Sequence, residues 1–263
     1  MGRLLIILGF LGLLAVAIAF GFVERQLEPM AKIPKESQIF VVDPGTSLAK
    51  ITRNLKTAGL IRNAKATEWL GRYRGAAGRL RTGEYAIAPH WTPDAILTHL
   101  SSGPVHTYEV VLPEGLHAIE IANRLEAAGL VNAEDFLKVA RDPLTVDALG
   151  LEGNSLEGYL FPETYRMPRN LPPERVAQVL IRQFNDTWKS IEAKAKERKM
   201  SMIEVVTLAS IIEKETAAPE ERPLISSVFH NRMRKGMRLE TDPTVIYGIP
   251  DFDGNLRRHH LQD

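Results

Sequence analysis

The chain has 263 residues, 44% of them hydrophobic and 25% charged, which is ordinary for a globular protein and excludes global disorder. Its 33 basic and 32 acidic side chains leave a net charge of +1, so an overall electrostatic footprint for nucleic acid is excluded. Cysteine is absent, which excludes disulfide scaffolds, zinc fingers, iron–sulfur clusters and thiol catalysis.

Residues 1–25 are predicted to form a transmembrane anchor. Residues 4–22 carry no charged side chain, and as a helix they would extend about 28 Å, close to the hydrocarbon thickness of a bilayer. The alternative is a cleaved signal peptide, because Ala17 and Ala19 form an A-x-A-like site. Arg3 before the span favours a cytoplasmic N-terminus and an outward-facing body.

A proline-containing linker over residues 26–36 precedes an internal repeat with an offset of 70 residues. Each copy begins with a predicted strand and a glycine turn, at residues 39–42 with Gly45 and at residues 109–112 with Gly115. An amphipathic helix, a glycine stop and a second helix follow in each copy. The apolar positions of these helices match in pairs: Ile51 with Ile121, Leu55 with Leu125, and Leu60 with Leu130.

The first copy continues into a predicted strand over residues 83–87 and a helix over residues 95–100, with Thr92 as its N-cap. The resulting unit, residues 37–106, resembles the LysM-like modules that bind cell-wall glycan. Its composition is equally compatible with a spacer.

Long helices are predicted after Pro173, and the helix over residues 201–216 places one carboxylate among its apolar side chains. Glu213 follows Ala209 by four residues, whereas Glu204 and Glu215 are predicted to point away. A buried carboxylate without a partner favours its protonated form, which can donate a proton to a leaving oxygen. The alternative is that Glu213 pairs with an arginine or caps a neighbouring element.

Two further segments combine aromatic and acidic side chains. Residues 156–165 include Glu163 and Tyr165 between glycine and proline breakers, a pattern that suits sugar binding but also a core strand that ends in a loop. Asp242, which precedes a proline, has the default explanation of a helix N-cap.

Three segments together carry a specific resemblance. They are residues 156–165 (LEGYLFPETY), residues 208–216 (LASIIEKET) and residues 228–248, which run from VFHNRM to RLETDPTVIYG. In sequence, order and spacing they resemble the YceG-like endolytic murein transglycosylases, the MltG family.

The resemblance implies an α+β fold: an N-terminal transmembrane helix, a small LysM-like α/β module, and a mixed α/β catalytic domain rich in helices over residues 107–263. It also implies that family members continue beyond Asp263. The implied location is the inner membrane, with one membrane span, a cytoplasmic N-terminus and a periplasmic catalytic domain.

The implied activity is endolytic cleavage of peptidoglycan strands after N-acetylmuramic acid. This reaction leaves 1,6-anhydromuramoyl ends and terminates strand elongation, with no metal or cofactor. Glu213 is the implied catalytic residue, and peptidoglycan synthases are implied neighbours. The implied substrate contacts are Glu163, Tyr165, Asn231, Thr241, Asp242 and Tyr247.

Two other functions remain open. The same repeat could belong to a non-catalytic wall-binding or scaffold protein. A two-carboxylate glycosidase could use Glu163 or Asp242 together with Glu213, because hydrolytic glycosidases need an acid and a base or nucleophile. His259 and His260 are interpreted as exposed polar residues rather than metal ligands.

Overall fold

The structure is a computed structural model that describes residues 10–14, 17–18, 21–22, 24–33, 35–216, 218–247, 249 and 255–258. Its first elements in chain order are β1 (Gln38–Val42), α1 (Leu48–Thr57), α2 (Ala64–Tyr73), β2 (Gly83–Ile87), α3 (Pro93–Ser102), β3 (Tyr108–Leu112) and α4 (Ala118–Ala127). They are followed by α5 (Ala133–Ala140), α6 (Pro143–Ala148), β4 (Glu163–Met167), α7 (Pro173–Glu197), α8 (Met202–Glu215), α9 (Arg222–Arg234) and α10 (Asp242–Tyr247).

The predicted N-terminal transmembrane helix is contradicted. Within the ranges just given, the structure contains no helix with the length and apolar character needed to cross a membrane. The predicted single-pass location in the inner membrane depended on that helix and is corrected with it. Residues 1–9, 15, 16, 19, 20 and 23 of the predicted anchor lie outside the described residues.

The chain divides into two compact units. The first comprises Met1–Tyr108 with Met167–Arg169, and the second comprises Glu109–Arg166 with Asn170–Asp263. Both units combine strands with helices, so the predicted α+β class is confirmed.

In the first unit, β1 and β2 form an antiparallel pair in which Phe40 lies opposite Tyr85. The N-caps of α1 and α3 are Ser47 and Thr92, whose side chains accept hydrogen bonds from backbone N–H groups of the first helical turn. The inward side chains of the strands and helices form one apolar core: Phe40, Val42, Ile51, Leu55, Leu60, Ile61, Tyr85, Ile87, Ile96 and Leu100.

The second unit repeats this local geometry, as the sequence predicts. β3 pairs with β4, and α4 and α5 follow β3 as α1 and α2 follow β1. The turn after each first strand uses a glycine with positive φ, 70° at Gly45 and 76° at Gly115. The first helix of each copy ends at a glycine with φ 69° or 68°, Gly59 or Gly129.

The C-terminal helices complete the second unit. α7 has 25 residues and buries Val176, Ala177, Leu180, Ile181, Phe184 and Ala195. A capping box starts α8, in which Ser201 and Glu204 each accept a hydrogen bond from the other's backbone N–H. α7, α9 and α10 pack against α8, so α8 is the element around which the candidate site is built.

Candidate active site

α8 carries the candidate catalytic residue, Glu213, near its C-terminal end. The side chain of Glu213 is 31% exposed, so the prediction of a buried carboxylate is wrong. Leu208 is the buried residue of α8, whereas Ala209 is exposed and the other residues of the predicted apolar stripe are partly exposed. Glu213 therefore lies on a half-open surface that a large substrate can reach.

Arg222, at the start of α9, holds Glu213 in place. Its Nη2 lies 3.1 Å from Oε2 of Glu213 and 3.4 Å from Oε2 of Glu114, which belongs to the turn between β3 and α4. The Nε of Arg222 is buried and has no hydrogen-bond partner among the described residues. The ion pair between Glu213 and an arginine, which was one alternative from the sequence, is thus present. Both side chains of the pair are partly exposed, and a second carboxylate contacts the same nitrogen.

The loop between α6 and β4 is docked closely onto α8. A Cβ on Gly158, whose φ is 82°, would lie 2.7 Å from Cγ1 of Val206, so only glycine allows this approach. Oε2 of Glu152 accepts a hydrogen bond from the backbone N–H of Ile203 at 3.0 Å. The loop that carries the first segment of the resemblance is therefore in direct contact with α8, the helix that carries the second.

The same loop also contacts the N-terminus of α4 through Glu157. Oε2 of Glu157 accepts a hydrogen bond from the backbone N–H of Ala118 at 3.0 Å, and Oε1 lies 3.9 Å from Nδ1 of His117. The His117 ring packs against Tyr247 with 5.6 Å between ring centroids. Partial burial of the hydroxyl, and then the negative charge of Glu157, raise the pKa of Tyr247.

Glu215 joins α8 to the third segment. The hydroxyl of buried Thr241 donates to Oε2 of Glu215 at 2.6 Å. Glu215, which helical spacing places away from the stripe that contains Glu213, is exposed and is bound by the residue that precedes α10. Asp242 is the first residue of α10 and is exposed.

The remaining predicted contacts differ in their accessibility. Tyr165 is 6% exposed, and its hydroxyl donates to the carbonyl of Phe161 at 2.7 Å, which favours the core alternative for this residue. Burial, and then the charge of Glu163, raise the pKa of Tyr165. Glu163 and Asn231 are exposed, and Oδ1 of Asn231 accepts a hydrogen bond from Arg234 at 2.8 Å.

Sequence reasoning missed five residues that the structure brings to this surface: Glu114, His117, Glu157, Glu215 and Arg222. The repeat contained a signal for two of them. Where the second copy has Glu114 and His117, the first copy has Pro44 and Ser47, which suit a turn and a helix cap.

Two cavities accompany α7 and α8. One of about 390 Å³ is lined by Leu149, Gln178, Ile181, Arg182, Asn185, Asp186, Trp188 and Lys189. The other, of about 220 Å³, is lined by Ile203, Glu204, Thr207, Leu208, Ile211, Met233 and Leu239. Glu213 lines neither, since it projects from the opposite side of α8 from Glu204. Within the described ranges, no group of three or more His, Asp or Glu side chains could hold a metal ion, and His259 and His260 lie outside them.

Comparison with known proteins identifies the family to which this chain is similar. The profile of the YceG-like family matches residues 40–263. The endolytic murein transglycosylase of Bacillus subtilis (strain 168) is 31% identical over 89% of this chain and 69% of its own length. The endolytic murein transglycosylase of Streptococcus pneumoniae (D39) is 24% identical over 94% of this chain, which spans 50% of that relative.

A solved structure agrees with the sequence comparison. The crystal structure of a yceG-like protein from Listeria monocytogenes superposes with a TM-score of 0.55 at 27% identity, covering 87% of this chain and 80% of that one. The chain belongs to the YceG-like family.

Proposed function

We propose that this protein is an endolytic lytic transglycosylase of murein, a lyase that cuts peptidoglycan strands internally. The observation that carries the proposal is Glu213, a carboxylate on a half-open surface of α8, the helix that the first and third of the segments resembling the family contact at Val206 and Glu215. The names of the related proteins from B. subtilis and S. pneumoniae support murein as the substrate.

Glu213 supplies both proton transfers of this reaction. It first donates a proton to the glycosidic oxygen that follows N-acetylmuramic acid, and the bond from that oxygen to C1 breaks. The C6 hydroxyl of the same sugar then bonds to C1 and returns its proton to Glu213. The attacking hydroxyl is tethered to the reacting ring, so neither a water nor a second carboxylate is required.

The half-exposed position of Glu213 fits this cycle. The ion pair with Arg222 orients the carboxylate, and a partly exposed pair of this kind contributes only about 0–1 kcal/mol to stability.

Further substrate contacts are proposed for the exposed predicted residues: Glu163, Asn231, Asp242 and Tyr247. Thr241 would act through its hydrogen bond to Glu215. Residues 37–106 are proposed to be a LysM-like module that holds glycan, with residues 107–263 as the catalytic domain. Trp69 and Tyr73 support this module, because they are 76% and 87% exposed on α2 and offer ring faces to sugars. Peptidoglycan synthases, whose products this activity would cut, are proposed partners.

One observation favours a second candidate, a two-carboxylate glycosidase. Glu114 and Glu213 lie 3.4 and 3.1 Å from the same Nη2 atom, so the two carboxylates are close enough for the separation of about 5 Å that retaining glycosidases use. In this case Glu114, rather than Glu163 or Asp242, would be the second carboxylate. Such an enzyme would activate water and leave reducing ends.

The decisive experiment is digestion of purified peptidoglycan by the protein and by its Glu213→Gln variant, with the new ends identified by mass spectrometry. We expect 1,6-anhydromuramoyl ends from the unaltered protein and a roughly 10²–10⁴-fold lower rate from the variant, because the proton donor is removed. Glu220→Gln, an equal change at an exposed position between α8 and α9, serves as the control and should cut normally.

Other outcomes separate the alternatives. Reducing ends would establish the glycosidase. Undiminished cutting by Glu213→Gln would remove Glu213 from the mechanism. If every variant sediments with peptidoglycan but no new ends appear, the protein is a wall-binding scaffold.

A further inference from the structure

We propose that Glu114 is a positioning residue for the proton of Glu213, and that it acts by sharing the Arg222 guanidinium. The catalytic consequence rests on the proposed transglycosylase function. The sharing itself rests on geometry: a single nitrogen, Nη2 of Arg222, lies 3.4 Å from Glu114 and 3.1 Å from Glu213. Both carboxylates therefore compete for one positive charge.

This competition answers a chemical difficulty at the site. An arginine paired with Glu213 alone would favour the ionised carboxylate, yet a general acid must begin the reaction protonated. A second carboxylate on the same guanidinium takes a share of its positive charge, and a neighbouring negative charge disfavours the ionised form of a carboxyl group. Glu114 thus opposes the effect of Arg222 on Glu213.

The internal repeat shows that the turn itself does not require a carboxylate. The equivalent turn of the first copy has Pro44 at the position of Glu114, with Gly45 at φ 70° where the second copy has Gly115 at φ 76°. The backbone therefore adopts the same turn with either residue. The side chain of Glu114 is 63% exposed, so packing in the core does not account for a glutamate at this position either.

Charged groups on the neighbouring elements have partners of their own. On α8, Glu215 is bound by Thr241, and before α9 Glu221 accepts from the Thr216 hydroxyl at 2.8 Å. The exposed Lys214 places its Nζ about 3.9 Å from where a Cβ on Gly115 would lie, and its charge is the same in every variant compared below.

On other elements that pack against α8, charged groups have contacts of their own. At the end of α7, Lys196 is paired with Glu192 at 2.6 Å, and the guanidinium of Arg198 lies 3.4 Å from the His230 ring. On α10, the charged residue is the exposed Asp242. Arg222 is thus the charged group that contacts Glu213, and Glu114 contacts the same nitrogen of Arg222.

The test is the pH dependence of turnover, since activity that needs a protonated acid is lost as the pH rises. Glu114→Gln removes the competing negative charge, so the alkaline limb of the pH profile should move to lower pH. Glu114→Asp should leave the alkaline limb where it is in the unaltered protein, because the negative charge is kept. Arg222→Gln should move the limb to higher pH, because the positive charge is lost. Glu109→Gln is the matched control, because it removes an equally simple ion pair with Arg166 from β3 and should shift nothing.

A second measurement does not depend on activity. The carbon-13 shift of the Glu213 carboxyl, assigned by its absence in Glu213→Gln, should titrate at lower pH in Glu114→Gln than in the unaltered protein. An unchanged midpoint in Glu114→Gln, or an equal shift in Glu109→Gln, overturns the inference. If the unaltered protein makes no anhydro ends at any pH, the proposed function fails, and the carboxyl titration still decides whether Glu114 controls Glu213.

Discussion

The two copies of the repeat share one scaffold but use it differently. In both, an asparagine caps the second helix: Asn63 accepts from the N–H of Ala66, and Asn132 accepts from the N–H of Asp135, each at 3.1 Å. The positions that build the core are the same pairs that the sequence aligns: Ile51 and Ile121, Leu55 and Leu125, Leu60 and Leu130 are all buried.

The copies diverge where the first helix begins. In the first copy, the side chain of Ser47 accepts a hydrogen bond from the N–H of Lys50 at 3.3 Å and serves the backbone. In the second copy, the backbone N–H of the equivalent His117 donates to Oε2 of Glu120 at 2.8 Å and its ring packs against Tyr247, while Glu114 contacts Arg222. The difference shows that the core side chains and turn glycines maintain the fold, so the exposed residues of the turn can differ between the copies and serve a functional site.

The turn glycines offer the largest test of this comparison. Gly45→Ala and Gly115→Ala should each destabilise the protein by about 1–2 kcal/mol, because both residues have φ near +70° and an alanine is strained there. Only Gly115→Ala should also reduce the rate of anhydro-end formation, roughly ten-fold or more, because it displaces Glu114.

Urea denaturation and the digestion assay measure these two effects separately. A Cβ at Gly45 would meet no atom within 4 Å, and at Gly115 it would meet only Lys214 at 3.9 Å, so backbone strain accounts for the loss of stability in both. Equal rates for the two variants would show that the second turn is no more than a spacer.

The helix caps sharpen the comparison with a smaller effect. Ser47→Ala should lower the free energy of unfolding by about 1 kcal/mol without changing turnover. His117→Ser introduces the cap of the first copy, so the free energy of unfolding should change by less than about 1 kcal/mol. Loss of the ring beside Tyr247 should instead raise KM, with kcat nearly unchanged.

Steady-state kinetics on soluble glycan fragments, together with urea denaturation, would check both variants. If His117→Ser unfolds the protein as readily as the loss of a core residue does, then His117 is structural and the proposed division between the two copies is wrong.

Much of this scaffold is predictable from the sequence because it depends on local rules. The 70-residue repeat, the turn glycines and the Thr92 cap are each determined by neighbouring residues and are observed as predicted. The position of Glu213 around α8 was likewise deduced from helical spacing.

The environment of Glu213 was not predictable, because spacing gives a direction around a helix axis but not what lies there. α8 is covered too sparsely to bury its stripe, and Leu208 is its buried residue. Arg222 and Thr241 reach Glu213 and Glu215 from other helices, so these contacts depend on tertiary packing that no local pattern encodes. The sequence predicts one carboxylate on the packed side of α8. In the structure, Glu213 pairs with Arg222 and Glu215 with Thr241.

The smallest expected effect concerns β2 and β4, the strands that pair with the first strand of each copy. Tyr85 in β2 and Tyr165 in β4 are both buried, and each hydroxyl donates to the carbonyl four residues earlier, Arg81 at 2.9 Å and Phe161 at 2.7 Å. Burial raises the pKa of both tyrosines, although Arg81 partly opposes this at Tyr85.

Tyr85→Phe and Tyr165→Phe should each cost about 1 kcal/mol at neutral pH through the lost hydrogen bond. A raised folded-state pKa means that the stability from the neutral hydroxyl is complete below about pH 10 and is lost as the pH rises further, because the unfolded chain ionises first. The deficit of each variant should therefore narrow above pH 10 in urea denaturation. Tyr165→Phe should leave KM for glycan unchanged if the residue belongs to the core. A raised KM, together with a stability deficit that does not narrow above pH 10, would show that Tyr165 contacts the substrate instead.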